Sequence, residues 1–309
     1  MALFLLRRFL QAVVAIFGVM TLVFFIQRLT GDPTYLLVPE TATKADIAAM
    51  RASLGLDRPL LVQYLSFLWN MLHLDFGRSY VQDVRVVTIL AARLPYTLEL
   101  AAGALAVAFV FGVPIGIVTA IWRGRPQVSG LMGFVLAAQS MPTFWSGILM
   151  IMIFGVWLGW LPTSGAGGFR NLIMPSVALG LLSMATFARV ARTAVLDELP
   201  KDYVRSARAR GVATGRLVLR HLLRNASIPV ISISALEISQ LLAGAVIVET
   251  VFAWPGLGLL TIQSITSRDF MVVQAIVLLG SFVTISLNFL ADVFYTIVDP
   301  RIRLTGTAR

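Results

Sequence analysis

The chain has 309 residues, of which 58% are hydrophobic and only 13% charged, with a mean hydropathy of +0.86. Soluble domains carry roughly a quarter of their residues as Asp, Glu, Lys and Arg, so this composition excludes a soluble fold and implies an integral membrane protein. The net charge of +10 falls in a few basic clusters, and with no cysteine the chain has no disulfide, thiol chemistry or Cys-based metal site.

In chain order, Arg7 and Arg8 precede the uncharged run Phe9–Ile26. No small-x-small cleavage site follows Ile26, so the run reads as an uncleaved first span rather than a signal peptide. Residues 31–94 are too polar to span and too patterned for a linker. Thr43 is placed to cap a helix over Lys44–Leu54 with Gly55 as its stop, and Leu60–Leu72 reads as a second helix with Leu61, Tyr64, Leu65 and Leu68 on one face. Further uncharged runs cover Leu100–Trp122, Pro126–Phe169, Asn171–Ala188 and Phe270–Ala291, and Ala226–Val248 is interrupted only by Glu237. A spanning helix needs about 20 apolar residues. The pattern therefore predicts an all-α polytopic membrane protein with six transmembrane helices, the third filling part of 126–169 before the Gly-rich break at Leu161–Gly168. It forms one domain over 1–309, with an external helical loop at 31–94 and a cytoplasmic loop at 194–228.

Six spans put both termini on one side. That side collects 16 Lys and Arg residues against nine on the other, most of the nine lying in the long 31–94 segment, which translocates largely regardless of charge. Both termini are expected in the cytoplasm. The charge then belongs to a cytoplasmic face, with membrane lipid rather than nucleic acid beside it.

Nine of the basic residues fall between Arg189 and Arg224. Pro200 suits a first-turn position and Gly211 a helix stop, with Tyr203, Ala207 and Arg210 on one face between them. Small residues at Ser206, Ala207 and Ala209 would let a partner protein approach closely. In the following GRLVLRHLLRN, Arg216, Arg220 and Arg224 form one helical stripe and Leu219, Leu222, Leu223 and Ala226 another, a pattern suited to anionic headgroups.

The run DYVRSARARG, Asp202–Gly211, with HLLRNASIP, His221–Pro229, resembles the inner-loop signature of ABC importer permeases of the dipeptide/oligopeptide/nickel group. LTGDP (Leu29–Pro33), LGLDRPL (Leu54–Leu60), DFGRSY (Asp75–Tyr80), LGWLPTSG (Leu158–Gly165), VFAWPGLG (Val251–Gly258) and DPRIR (Asp299–Arg303) agree in the same order. Compared with the general importer pattern of EAA, three residues and Gly, the chain carries Arg205-Ser206-Ala207 before Gly211, and the closing proline comes late, at Pro229. The resemblance implies an inner-membrane subunit forming half of a translocation pathway for small peptides or related solutes. Its partners would be a second homologous permease, two cytoplasmic ATPase subunits using ATP and Mg, and an extracytoplasmic solute-binding protein. Asp202, Tyr203, Arg205, Ser206, Ala207, Arg208, Ala209, Arg210 and Gly211 would form the coupling helix. The residues fit this division of labour: no G-x-x-x-x-G-K-[ST] occurs, and Lys44 and Lys201 lie outside any phosphate-cradling loop, so the chain is not expected to be an enzyme or to bind a cofactor.

Ionisable groups within spans are costly and tend to face a cavity or partner. Glu237 is a candidate pathway residue, with a structural hydrogen bond to Ser234, Ser239 or Gln240 as the other reading. Asn288 and Asp292 share one face of the last span, lining the pathway or joining two helices. Glu99 and Glu249, near the outer ends of their spans, are expected to reach the interface or the outer cap. Gly112–Gly116, with its proline, reads as close packing. The resemblance makes Trp254, Pro255, Gly256 and Gly258 a candidate outer gate, the alternative being an interfacial turn anchored by Trp254. Neither His73 nor His221 has metal-ligand spacing, so no metal is assigned. A secondary transporter or a non-transporting scaffold are the rival classes; the absence of a visible repeat weighs against the first.

Overall fold

The computed structural model describes residues 2–29, 34, 38, 41–218 and 222–298. Their regular structure is all helical, with one isolated antiparallel bridge, Arg78 to Arg85, as the sole strand-like pairing among them. Five helices are long and apolar enough to span a membrane: α1 (Ala2–Leu29), α4 (Val86–Ile121), α7 (Phe169–Glu198), α10 (Leu223–Val251) and α12 (Phe270–Val298). The sixth predicted span is a bent pair, α5 (Pro126–Gln139) and α6 (Thr143–Met150) continuing into a π-helical turn, Ile151–Trp157, with 103° between the two arms. The single straight third span expected from 126–169 is thus broken at Ser140–Pro142. Pro142 has no N–H to donate and favours extended backbone before it, which suits the end of α5 at this point.

α4 and α7 share the most extensive interface in the molecule. Gly103, Gly112 and Gly116 of α4 and Gly180 of α7 remove the side chains that would hold the two backbones apart. A Cβ at Gly112 would lie 2.5 Å from the Met184 carbonyl oxygen, and one at Gly180 2.7 Å from that of Ala104. Contacts advance together along both helices, so α4 and α7 run parallel. α10 completes a three-helix core in which Leu100, Ala101 and Ala104 meet Met174, Ala178 and Leu179 on α7 and Leu241, Ala245 and Val248 on α10. α1 packs against α12, outside this core.

The 31–94 segment contains the two expected helices, α2 (Lys44–Ser53) and α3 (Leu60–Leu72). Thr43 and Asp46 form a reciprocal capping box at the start of α2. The packed face of α3 differs from the expected one. Tyr64, Phe67 and Met71 lie against Phe24 and its neighbours on α1, whereas Leu61 and Leu65 are exposed. Aromatic stacking on Phe24 and the Thr21–Tyr64 hydrogen bond of 2.7 Å select the buried side of α3. Arg28 adds a two-pronged contact to Gln63 at 2.6 and 3.0 Å.

Overpacking a tight interface costs about 1–3 kcal/mol. Gly112→Leu and Gly180→Leu should each lower the thermal unfolding temperature of the purified protein, whereas Gly133→Leu, at a position with open space, should leave it near wild type. Equal melting of all three variants would refute the close-contact account.

Candidate functional site: the basic loop and the re-entrant turn

The basic loop begins where α7 ends at Glu198. Pro200 lies in the turn ahead of Lys201, the N-cap of α8 (Asp202–Ala209), and not in the first helical turn as expected. α8 ends in a Schellman motif: the Gly211 N–H bonds the Arg208 carbonyl at 2.9 Å and the Val212 N–H bonds that of Ala207 at 3.2 Å. Gly211 has φ +72°, a conformation that costs glycine nothing.

α8 is sharply two-sided. Val204 and Ala207 are buried with Leu217, Val218 and Leu222 against Ile117 and Ile121 at the end of α4. Arg205, Ser206, Arg208, Ala209, Arg210 and Gly211 face outward. Ala207 was expected on the small-residue docking face; at 3% exposure it belongs to the chain's own core, and a bulky residue there would unseat α8 itself. The outward face is consequently more basic than expected, with Ser206, Ala209 and Gly211 as its small members.

Below α8, the Glu198 carboxylate accepts from Lys201 Nζ and from the Tyr203 hydroxyl, each at 2.5 Å, and from Asn225 Nδ2 of α10 at 3.4 Å. Burial, and then the hydrogen bond to Glu198, push the Tyr203 phenol above its ordinary pKa, so it remains a donor at neutral pH. The second arginine-rich piece is described as α9 (Thr214–Leu217) and again from Leu222 into α10. Leu222 and Ala226, expected on the apolar stripe of this piece, are buried inside the protein, where they complete the seat of α8 and the ends of α4 and α7. Leu219, Arg220 and His221 lie outside the described residues, as does most of LTGDP and all of DPRIR.

At the far end of α10 the chain reverses through Phe252–Gly256 into α11 (Leu257–Thr266). Glu249 was expected to reach the interface or the outer cap; it is 0% exposed. Its carboxyl group accepts from Thr97 Oγ1 at 2.7 Å and from the Gly258 and Leu259 N–H groups at 2.6 and 3.0 Å, while the Leu257 N–H bonds Thr97 Oγ1 at 2.8 Å. The first three N–H groups of α11, which have no partner within the helix, are thereby satisfied from α10 and α4. Gly256 and Gly258 make this possible, because a Cβ on either would come within 3 Å of the Glu249 carboxylate. Trp254 is 1% exposed and donates its Nε1–H to the Tyr96 carbonyl at 2.8 Å, which rules out an interfacial anchor. Pro255 accepts from Arg93 at 3.4 Å. The turn also takes in the LPTSG segment through the Gly165 N–H to the Phe252 carbonyl. Similarly, DFGRSY is pinned to the α11–α12 turn by Asp269, which accepts from the Ser79 hydroxyl and, at 3.2 Å, from the Tyr80 N–H.

The candidate pathway residues differ in their surroundings. Glu237 is 4% exposed; Ser234, its suggested partner, bonds the Val230 carbonyl instead, and buried Ser239 Oγ has no partner in the described residues. Asp292 pairs with Arg8 of α1 at 3.1 Å, making the helix–helix contact, while Asn288 is exposed and Glu99 likewise. The sequence reading missed Glu198, Asn225, Thr97 and Asp269. Glu198 had one visible cue, Lys201 three residues on; the others form long-range pairs with no local signal. Among the described residues no group of three or more His, Cys, Asp or Glu could hold a metal.

A bundle of spans presenting a short basic helix at one end and a re-entrant turn at the other defines a polytopic transport subunit. Residues 112–304 match the family described as binding-protein-dependent transport system inner membrane component, and residues 1–101 match its N-terminal companion. The chain is 37% identical over 308 residues to a peptide transport system permease protein of Brucella abortus (strain 2308), covering 97% of this chain and 98% of that protein. It is 43% identical over 302 residues to the glutathione transport system permease protein of Pectobacterium atrosepticum, and 40% over 301 residues to that of Escherichia coli (strain K12), again covering 97% and 98%. Among solved structures, a chain of the inward-facing MetNI methionine ABC transporter has a similar fold, with TM-score 0.58 and 21% identity over 69% of this chain and 97% of that one. An amino acid ABC transporter gives TM-score 0.53 and 19% identity over 67% and 93%. The chain belongs to the binding-protein-dependent transport system inner-membrane component family: it is a multi-pass inner-membrane permease subunit of an ABC importer, and not itself an enzyme.

Each buried group left without its hydrogen bond costs about 1–3 kcal/mol. Glu249→Ala strands Thr97 and two N–H groups at once, so it should destabilise the protein and open 252–266 to protease, with Glu249→Gln intermediate. Undiminished protease resistance in Glu249→Ala would overturn the capping role.

Proposed function

We propose that this permease forms half of a translocation pathway for small peptides or related solutes, the other half coming from a second homologous subunit. Two cytoplasmic ATPase subunits drive it, and an extracytoplasmic binding protein feeds it. Both termini and the basic loop lie in the cytoplasm, and the 31–94 segment lies outside. The observation that carries this reading is the two-sided α8: its apolar side is spent on its own spans, leaving Arg205, Ser206, Arg208, Ala209 and Arg210 free for an acidic or polar groove on an ATPase. The peptide class follows from relatives named for peptide and glutathione transport. Glu237, buried at mid-span, is the pathway candidate for a cationic group once the subunits move apart.

Coupling follows from population shift. ATP favours one of two arrangements of the ATPase pair, and a helix seated on them carries that preference to the spans. Co-expression with the ATPase pair, the second permease and the binding protein should give ATP hydrolysis stimulated by dipeptides, longer peptides or glutathione, whichever is the substrate. Gradient-driven uptake by this chain alone would sink the reading. Reporter fusions after Arg125 and Arg210 should read cytoplasmic, and one near Lys44 external.

Within the loop, charge reversal at the exposed Arg208 should weaken ATPase copurification roughly ten-fold while leaving the chain folded. Ala207→Trp should instead lower the stability of the permease alone. Full ATPase binding by Arg208→Glu would place the docking surface elsewhere.

A further inference from the structure

α8 is held to the spans in two different ways. Its apolar side rests on Ile117 and Ile121 of α4, a contact that is non-directional and could slide. The second attachment is directional. Glu198, the last residue of α7, is buried, and its carboxylate takes the Tyr203 hydroxyl from α8 and Asn225 Nδ2 from α10, with Asn225 also 3.4 Å from the Tyr203 oxygen. Three helices meet at one side chain. The Lys201 ammonium on the other carboxylate oxygen is half exposed and adds little, as solvent-facing pairs do.

We propose that Glu198 is a positioning residue for coupling: its bonds to Tyr203 and Asn225 make α8 move as one body with the ends of α7 and α10, so that displacement of α8 by an ATPase becomes displacement of two spans. This rests on the docking reading of α8 above but concerns a residue outside its docking face. Without the carboxylate, α8 remains seated by Val204 and Ala207 and still presents its arginines, yet it can tilt on an apolar bed. The ATPases would then bind and cycle while less of their motion reaches the pathway. The Tyr203 bond at 2.5 Å is charge-assisted and among the stronger ones, and the Asn225 contact at 3.4 Å is weaker, so loss of both should shift the fixed-to-loose ratio of α8 roughly ten-fold.

The cysteine-free chain permits a direct test. Spin labels on Ala209→Cys of α8 and Ile228→Cys of α10, both exposed, report the distance between the two helices in the purified full-length permease. A single narrow distance distribution is expected with Glu198 present and a broad one in Glu198→Ala. Glu198→Gln, which can still accept from Tyr203, should restore most of the narrow population, and Lys201→Ala should not broaden it. In the reconstituted importer, Glu198→Ala should retain ATPase copurification and lose at least several-fold in solute moved per ATP hydrolysed. Tyr203→Phe, which removes one hydroxyl, should show the same two effects more weakly and serves if Glu198→Ala fails to fold. An unchanged distance distribution overturns the proposal, as does a broadened one with an unchanged transport-to-hydrolysis ratio. Failure of wild-type permease to bind ATPases would instead sink the docking reading, and the distance measurement on the permease alone would still decide the tether.

Discussion

Everything in this permease hangs on how closely α4 and α7 approach. Between helices in lipid there is no hydrophobic gain from association, so packing itself must hold them. Glycines at 112, 116 and 180 let carbonyl groups of one helix lie where side chains of the other would stand, and Gly103 makes room for the Ser176 side chain. α10 then closes over the pair through Leu241, Ala245 and Val248. α4 has 36 residues, about 54 Å at 1.5 Å per residue, well beyond a hydrocarbon core of roughly 30 Å. Its two ends therefore project as posts. Tyr96 and Thr97 near one end hold the re-entrant turn, and Ile117 and Ile121 at the other seat the basic loop.

Two carboxylates finish what the glycines begin. Glu198 and Glu249 each occupy the last turn of a span, where the chain is about to reverse, and each reaches into the helix that follows the reversal. Glu249 supplies acceptors to the start of α11, whose N–H groups would otherwise be stranded away from water. Glu198 fixes the start of α8 to α10. Asp269 does the same between α11 and α12, holding the 75–80 segment. Several of the motif segments that carry the resemblance are pieces these side chains tie together: WPGLG cannot close on Glu249 with a side chain at Gly256 or Gly258.

Class, spans, the capped α2, the extent of α3 and the Gly211 stop were legible in the sequence because each depends on local chemistry: runs without charge, a Thr–Asp box, a residue tolerant of positive φ. What was not legible depends on distant partners. The alternation around Ala207 marks a small face but not which way it turns; only the seat made by Ile117, Ile121, Leu217 and Leu222 decides that. Glu249 sits at the end of an apolar run and so looks interfacial, until Thr97, more than 150 residues earlier, comes beside it. The break at Pro142 lay inside a run free of charge, where composition masks a backbone signal. Glu237 and Asp292 both read as a carboxylate in an apolar span, yet one is enclosed at mid-span and the other paired with Arg8.

The packing also constrains how such a molecule can move. A ridge of glycines set against carbonyls resists sliding, because translation along either helix would drive Cβ atoms into backbone that is already in contact. α4, α7 and the part of α10 packed on them are therefore best regarded as one body, with α8 at one end and the turn at Trp254 at the other. Residues 97 and 117 of α4 stand about 30 Å apart at helical rise, so a tilt delivered at Ile117 reappears at Thr97 without any chain of rearrangements between them. The element outside this packing is the α1–α12 pair held by Arg8 and Asp292, whereas α5 and α6 rest on it through Met132, Val135 and Met150. A two-state transporter needs rigid parts as well as hinges, and here the sequence places glycine where rigidity is required and proline, at 142, where the chain turns.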